Sequence, residues 1–171
     1  VGIFEPSGRD VAAAVAVGLF GIQHRGQDSC GMAALDANGM LRLHRGLGLV
    51  KEVFSRGVLP DFTGPTAIGH VRYPTAGRPT VENAQPHRIE AADGRALALC
   101  SNGDVVNYGS MREELEKDGE VFYGQNDGEL LARFAAREIF RRGRTAVEAI
   151  RALQTTIQGA YSACLIAEGR L

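Results

Sequence analysis

Short apolar runs separated by glycine-containing turns fill the first hundred residues of the chain. An Asn-Gly or Asp-Gly pair between two such runs predicts a tight hairpin turn, and these pairs begin at Asn38 and Asp93. We expect one or two helical turns within 51–56, a flexible loop at 46–48, and mostly irregular chain over 74–86, which is rich in Pro, Gly, Thr and Asn. The predicted strands are 2–4, 31–35, 40–44, 66–73, 87–92, 95–101 and, near the end, 161–167.

Longer segments show helical periodicity next to capping residues. Asp10 is expected to cap a helix over 12–23, and the Ser/Thr-x-x-Glu pattern of a capping box begins at Ser110 and again at Thr145. Apolar spacing predicts a longer helix over 127–142. In the helix after Thr145, the predicted buried stripe consists of Val147, Ile150, Leu153 and Ile157.

The order of these elements places the chain in the α+β class. Hairpins come first, then helices, then a strand, and this order differs from the βαβα alternation of a doubly wound fold. The pattern favours antiparallel sheet with helices packed on its faces. With 171 residues, 44% of them hydrophobic, and no low-complexity linker, the sequence predicts one globular domain spanning 1–171.

Charge and hydropathy exclude two classes of partner. The 19 basic and 20 acidic residues are interspersed, so the broad basic surface that nucleic acids require is missing. The apolar run 12–20 is too short to cross a bilayer, and it follows Glu5 and Asp10 rather than a basic leader. We therefore expect no nucleic acid, no membrane and a cytoplasmic location.

The three cysteines, Cys30, Cys100 and Cys164, are widely spaced and odd in number. This spacing argues against a structural zinc site or a disulfide framework, and we expect no metal. Each cysteine borders an apolar stretch, so buried inert thiols are predicted. Cys164 in particular has no charged neighbour in the sequence to activate it.

Four segments combine polar side chains with glycine at the ends of predicted elements, where sites are commonly held. They are 23–28, 70–77, 101–104 and 126–129. Each also has a structural interpretation: a tight turn at 102–103, a helix N-cap at Asp127, a surface ion pair for Arg72, and structural roles for His24 and His70. Segment 82–86 is interpreted first as a loop held by side-chain hydrogen bonds.

Taken together, the polar residues suit a free α-amino acid that carries a side-chain amide. Arg72 can bind a carboxylate through two nitrogens, and Asp127 can accept an ammonium group. Cleavage of the amide would produce an oxyanion, which the Asn102 amide and the Gly103 backbone N–H could hold. Glycine at this position also lets the backbone approach a substrate closely.

These segments resemble the class II glutamine amidotransferases, the N-terminal-nucleophile family, and in particular the amidophosphoribosyltransferase branch. The resemblance covers nearly all of the chain, with the motifs in the same order and spacing. The matching stretches are QHRGQDSCG at 23–31, GLGLVKEVF at 46–54, AIGHVRYPTAG at 67–77, ENAQP at 82–86 and GAYSA at 159–163.

The resemblance implies a four-layer αββα sandwich in which two antiparallel sheets lie between helices. It implies hydrolysis of glutamine to glutamate and ammonia, with the ammonia passing to a phosphoribosyltransferase or another synthase domain or subunit in purine biosynthesis. It implies no cofactor in this domain, and a homo-oligomer or a heteromeric complex.

The resemblance also assigns roles by position. Arg72 looks like the arginine that binds the glutamine α-carboxylate, and Asp127 like the acid that receives the α-amino group. Asn102 and Gly103 resemble the oxyanion pair. Tyr73 and the loop containing Thr75 resemble the segment that closes over bound glutamine.

Three departures from the family pattern bear on activity. The family begins with a cysteine that is both nucleophile and, through its amine, base, whereas this chain has Val1, which offers no attacking atom. The usual histidine before Asn-Gly is Ser101, and segment 126–129 reads Asn-Asp-Gly-Glu rather than Ser-Asp-Thr-Glu. The rest of the family's domain, and any phosphoribosyltransferase domain, lie outside the 171 residues.

Three functional hypotheses therefore remain from the sequence. The chain is a glutaminase-type domain whose first residue is altered, or it is an inactive glutamine-binding or structural homologue associated with a synthase. The third is hydrolysis through Cys100, because strand alternation places Cys100 and Asn102 on the same face.

Overall fold

The computed structural model describes residues 1–55, 57–73 and 80–167, and within them the chain forms two antiparallel sheets with helices outside both. The strands are β1 (Gly2–Phe4), β2 (Ser29–Leu35), β3 (Leu41–Leu47), β4 (Thr66–Arg72), β5 (His87–Glu90), β6 (Ala96–Val105) and β7 (Gly159–Ala167). The α-helices are α1 (Ala12–Gly21), α2 (Val50–Val53), α3 (Tyr108–Lys117), α4 (Asp127–Ala136) and α5 (Ala146–Thr156). Single 3₁₀ turns occupy Gln23–Arg25, Leu59–Asp61 and Val81–Asn83, and a π-helical turn, Arg137–Arg141, extends α4.

The first sheet has two inner strands, β4 and β2, and the second has the ten-residue β6 at its centre. The first sheet has the order β1-β4-β2-β3, and its register places Met32 between Gly69 and His44. The second has the order β5-β6-β7, with Cys100 opposite Cys164. All of these pairings are antiparallel, as the order of the predicted hairpins indicates.

Three apolar clusters join four layers and confirm the predicted αββα sandwich. Val15 and Leu19 of α1 pack with Met32 on the outer face of the first sheet. Residues from both sheets, including Ile68 and Ile166, form the cluster between them. The helices α3, α4 and α5 cover the outer face of the second sheet in the largest cluster. Burial of these faces is the main stabilising contribution to the fold.

The first predicted hairpin is present, but its strands are longer than the sequence indicated. The Asp36 carboxylate accepts hydrogen bonds from the backbone N–H groups of Asn38 and Met40, and this arrangement fixes the turn. The prediction of a loop at 46–48 was wrong for its first two residues. Gly46 and Leu47 belong to β3 because they pair with β2 across the sheet.

Asp10 and Ser110, which were both predicted as helix caps, do not cap their helices. Asp10 does not cap α1; its carboxylate instead accepts a hydrogen bond from the Gly64 N–H at 2.6 Å and so links two distant segments. Ser110 lies inside α3, where its hydroxyl donates to the Asn107 carbonyl. The capping box at Thr145 is confirmed, with the Thr145 hydroxyl and the Glu148 carboxylate exchanging bonds with each other's backbone N–H.

The predicted buried stripe of α5 was half wrong. Leu153 and Ile157 are buried, but Val147 and Ile150 are 58% and 42% exposed. The fully buried Ala149 lies against the core instead, because its small side chain lets the helix approach the layer beneath. Which face of an amphipathic helix is buried thus depends on the shape of its neighbours.

Candidate functional site

A cavity of about 560 Å³ lies where the ends of both sheets meet the start of α4. Its wall is formed by the first residue of the chain, the end of β4, the second half of β6 and the first turn of α4. Six of the predicted site residues line it, namely Val1, Arg72, Tyr73, Asn102, Gly103 and Asp127. Thr75, the seventh, lies outside the described residues. Tertiary structure therefore brings together side chains that are up to 126 positions apart in the sequence.

Val1 is fixed to the edge of β4 by two backbone hydrogen bonds. Its nitrogen donates to the Gly69 carbonyl at 2.9 Å, and the Gly69 N–H donates to the Val1 carbonyl at 2.8 Å. The valine side chain lies against Gly18 of α1, where an added Cβ would come within 3.2 Å of Val1 Cγ1. The side chain at position 1 therefore presents only hydrocarbon at the cavity.

Asn102 and Gly103 lie within β6, opposite Ser162 and Tyr161 of β7, so the interpretation of these two residues as a tight turn was wrong. Gly103 has φ +155°, and an added Cβ would lie 2.3 Å from the Ala160 carbonyl oxygen. A side chain cannot fit at that distance, so glycine is required for β6 to pair with β7 here.

Gln85 connects β6 to the start of α4. Its side-chain oxygen accepts a hydrogen bond from the buried Ser101 N–H at 2.7 Å. The Gln85 amide also lies so close to Gly128 that an added Cβ there would be 2.6 Å from it. The expectation that segment 82–86 is held by side-chain hydrogen bonds is confirmed, since Asn83 Oδ1 likewise accepts from the Gln125 N–H.

Arg72 forms a buried ion pair with Asp28. Its Nη1 lies 2.5 Å from Asp28 Oδ2, and the two side chains are 7% and 9% exposed, so the alternative of a surface ion pair was wrong. Gly26 approaches this strand so closely that a Cβ would lie 2.6 Å from the Arg72 backbone. A guanidinium has five N–H donors, so the Arg72 guanidinium can bind the carboxylate of a ligand while it is paired with that of Asp28.

Asp127 occupies the first turn of α4, but it is not the cap of this helix. Asn126 is the N-cap, and its side chain accepts from the Glu129 N–H at 3.0 Å. The Asp127 carboxylate accepts instead from the Val105 N–H at 2.9 Å. Partial burial, and secondarily the negative charge of Asp104, raise the pKa of Asp127 above its ordinary value.

Several cavity residues were not among the predicted site residues. Arg25 and Gln85 also line the cavity, and both lie in motifs that were already conspicuous for their polar residues. His70 lines it as well, and burial of its ring lowers its pKa to about 4, so the ring is neutral at pH 7. His24 is exposed, and it is not among the described residues that line the cavity.

Comparison with known protein families decides the identity of this arrangement. Residues 75–170 match the family model described as a glutamine amidotransferase domain. The amidophosphoribosyltransferase of Lacticaseibacillus casei is 36% identical over 169 residues, which cover 98% of this chain and 84% of that protein. The chain belongs to the glutamine amidotransferase family. The resemblance stated from the sequence motifs is therefore confirmed.

Longer relatives and solved structures agree with this assignment. The amidophosphoribosyltransferase of Archaeoglobus fulgidus is 36% identical over 168 residues, covering 98% of this chain and 36% of that protein. The structure of glutamine phosphoribosylpyrophosphate amidotransferase from B. subtilis in complex with ADP and GMP superposes with a TM-score of 0.84 at 34% identity, covering 98% of this chain and 34% of that one. This amidotransferase domain thus spans about a third of those proteins, and the N-terminal-nucleophile glutamine amidotransferase fold is confirmed.

The cysteines of this amidotransferase domain differ from one another more than the sequence suggested. Burial raises the pKa of Cys30 to about 12. Cys100 is 4% exposed, is absent from the described cavity lining, and has a raised pKa, so a role for it as replacement nucleophile is not supported. A hydrogen bond from the Cys100 thiol lowers the pKa of Cys164 to about 6. Cys164 is half-buried, so the prediction of a buried thiol was wrong for this cysteine.

Within the part of the chain that the structure describes, none of the helices combines the length and apolar character needed to span a bilayer. The same residues contain no group of three or more His, Cys, Asp or Glu side chains arranged to hold a metal ion.

Proposed function

We propose that this chain is the glutamine-recognition domain of an amidophosphoribosyltransferase-like enzyme. The observation that carries the proposal is a single cavity that gathers a guanidinium, a carboxylate and an amide next to a glycine backbone. Its volume lies within the range of about 300–1,000 Å³ that is typical of small-molecule sites. Arg72 binds the α-carboxylate of glutamine, and Asp127 binds its α-ammonium group.

The surrounding contacts support these two assignments. Asp28 holds the Arg72 guanidinium in place, so less rotamer freedom is lost when a ligand carboxylate binds. The raised pKa of Asp127 is that of a carboxylate whose solvation is reduced and which forms no ion pair with any described residue of the site. A substrate ammonium would supply a cationic partner.

The side-chain amide of glutamine then extends towards position 1. Asn102 and Gly103 stand beside it as donors for the carbonyl oxygen, and the exposed Tyr73 lines the same cavity. Preorganised donors of this kind contribute about 3–4 kcal/mol each to stabilising an oxyanion. The tie from Gln85 to Ser101 keeps β6 at a fixed distance from α4, and so keeps the donors aligned with Asp127.

Hydrolysis depends on the residue at position 1. Family members attack the amide with the thiol of an N-terminal cysteine, whereas valine has only carbon atoms in its side chain. We therefore propose that the chain as given binds glutamine without cleaving it. With a cysteine at this position, the same site would release glutamate and ammonia.

The relatives' names suggest where that ammonia would go. Amidophosphoribosyltransferases would transfer it to phosphoribosyl pyrophosphate, in a pathway that leads to purines. We propose that this chain acts together with such a phosphoribosyltransferase domain or another synthase subunit, in an oligomer, and without a cofactor of its own. Two observations support this wider assignment: the chain belongs to the family, and it spans about a third of the length of the longer relatives.

The decisive experiment compares the chain with its Val1→Cys variant. Calorimetry with L-glutamine measures binding, a coupled glutamate assay measures hydrolysis, and intact mass confirms that residue 1 carries a free amine. We expect both proteins to bind glutamine, but only Val1→Cys to release glutamate. Val1→Ala serves as a matched control, because it alters the same position without adding a thiol.

Two results would contradict the proposal. If neither protein bound glutamine, the assignment of Arg72 and Asp127 would be wrong, and a purely structural role would remain. If the unmodified chain released glutamate, a different nucleophile would be operating, and the role given to position 1 would be wrong.

A further inference from the structure

Two of the three cysteines face each other across neighbouring strands. Cys100 of β6 and Cys164 of β7 are direct partners in the antiparallel register of the second sheet. Directly opposed residues in such a sheet have Cα atoms about 4.5 or 5.5 Å apart, depending on the type of pair. A disulfide needs a Cα separation of about 4.4–6.8 Å, so both of these spacings lie within its Cα range.

The two thiols differ in the way that a reactive and a resolving cysteine differ. Cys164 is half-buried and so remains within reach of a small oxidant, whereas Cys100 is enclosed between the sheets. The hydrogen bond from the Cys100 thiol lowers the pKa of Cys164, whereas the pKa of Cys100 is raised, so Cys164 is the one of the two that more readily becomes a thiolate. Thiolate character and access together decide which cysteine reacts first.

We propose that Cys100 and Cys164 form a reversible disulfide when the protein meets hydrogen peroxide. The Cys164 thiolate attacks one peroxide oxygen, the O–O bond breaks, and the hydroxide that leaves takes up a proton to become water. Cys164 then carries a sulfenic acid. Cys100 loses its proton and attacks that sulfur, the S–O bond breaks, and a second water leaves as the S–S bond forms. Two thiols are oxidised and one peroxide is reduced to two waters.

This disulfide would lie directly behind the cavity wall. The Cys164 sulfur lies 3.3 Å from the point that a Cβ on Gly2 would occupy, and Cys100 Sγ lies 3.9 Å from the Gly69 carbonyl oxygen. Gly69 is also the residue that holds Val1, and Asn102 is two positions along β6 from Cys100. The disulfide would thus join β6, the strand that carries Asn102 and Gly103, to its neighbour β7.

The test uses hydrogen peroxide, followed by denaturation, alkylation with N-ethylmaleimide and mass spectrometry. In the oxidised protein we expect alkylation at Cys30 alone, a mass lower by about 2 Da before alkylation, and one cross-linked peptide pair that contains Cys100 and Cys164. Dithiothreitol should restore alkylation at all three positions. Cys30→Ala is the matched control and should form the disulfide at the same rate.

Single-cysteine variants identify the order of the two steps. In Cys100→Ala, Cys164 should accumulate as a sulfenic acid that dimedone traps, whereas in Cys164→Ala the enclosed Cys100 should stay reduced. Full alkylation of Cys164 after peroxide treatment would overturn the proposal. So would a disulfide that links two copies of the chain, or one that includes Cys30. None of these outcomes depends on whether glutamine binds.

Discussion

Replacement of Asp127 by asparagine tests the recognition of the amino acid in the most direct way. Among the described residues, the Val105 N–H is the one hydrogen-bond donor to the Asp127 carboxylate. The asparagine side-chain oxygen can accept the same bond, and Asn126 rather than Asp127 caps the helix. Asp127→Asn should therefore keep the fold, and its thermal unfolding midpoint should match that of the parent chain within a few degrees.

The magnitude follows from the interaction that is lost. A hydrogen bond to a charged group contributes about 1.5–3 kcal/mol, and each 1.4 kcal/mol is a tenfold change in affinity. We expect Asp127→Asn to weaken glutamine binding by about 10- to 150-fold in calorimetry at pH 7. Asp104→Asn is the control, since Asp104 lies in the same cavity but has no assigned ligand contact.

The pH dependence provides a second measurement of the same group. Because the pKa of Asp127 is raised, protonation should begin to compete with ligand binding at a higher pH than for an ordinary aspartate. Affinity should fall about tenfold per pH unit once the pH is below that pKa. Asp104→Asn should move this fall to lower pH by removing a like charge. Unchanged affinity in Asp127→Asn, together with an unchanged pH profile, would refute the assignment of the ammonium site.

Two further predictions concern the frame that holds the cavity. Gly103→Ala should lower the free energy of unfolding by about 2–6 kcal/mol, because backbone strain adds to the clash with Ala160. The control is Gly94→Ala, at φ +86° with open space around it, which should lose only about 1–3 kcal/mol through backbone strain. Equal losses for the two variants in urea denaturation would contradict this prediction. The pKa of His70 is about 4 in the folded chain, against an ordinary 6.5, so the unfolded chain binds a proton on the His70 ring more tightly than the folded chain does. The free energy of unfolding should therefore fall as the pH falls from about 6.5 to about 4. His70→Gln should reduce that slope by up to about 1.4 kcal/mol per pH unit in denaturation series, and an unchanged slope would contradict it.

Local sequence chemistry predicted the elements that depend on near neighbours. The hairpin at Asp36 and the capping box at Thr145 use residues within four positions of each other, and both formed as expected. Asp10 and Ser110 failed as caps although they have the right residue types. The Asp10 carboxylate accepts a hydrogen bond from the backbone N–H of Gly64, which is 54 positions away. A local sequence pattern does not reveal such a distant partner.

The length of strands was likewise decided outside the local sequence. Gly46 and Asn102 both lie in segments that were predicted as loop or turn, yet both belong to strands. Each strand continues through these residues because a partner strand pairs with it there. A glycine in a strand interior has a weak intrinsic preference for that state, and pairing overrides it. The burial of Ala149 rather than Val147 in α5 has the same origin in packing.

The sequence by itself determined the family, the α+β class and the identity of the main cavity residues, because the motifs around Arg72, Asn102 and Asp127 carry distinctive residue types at fixed spacing. Only the tertiary structure decided that these residues share one cavity with position 1, that Asp28 holds Arg72, and that Cys100 faces Cys164. Each of these facts is a contact between segments far apart in the chain. Such contacts depend on sheet register and layer packing, which the order of residues along one segment does not encode.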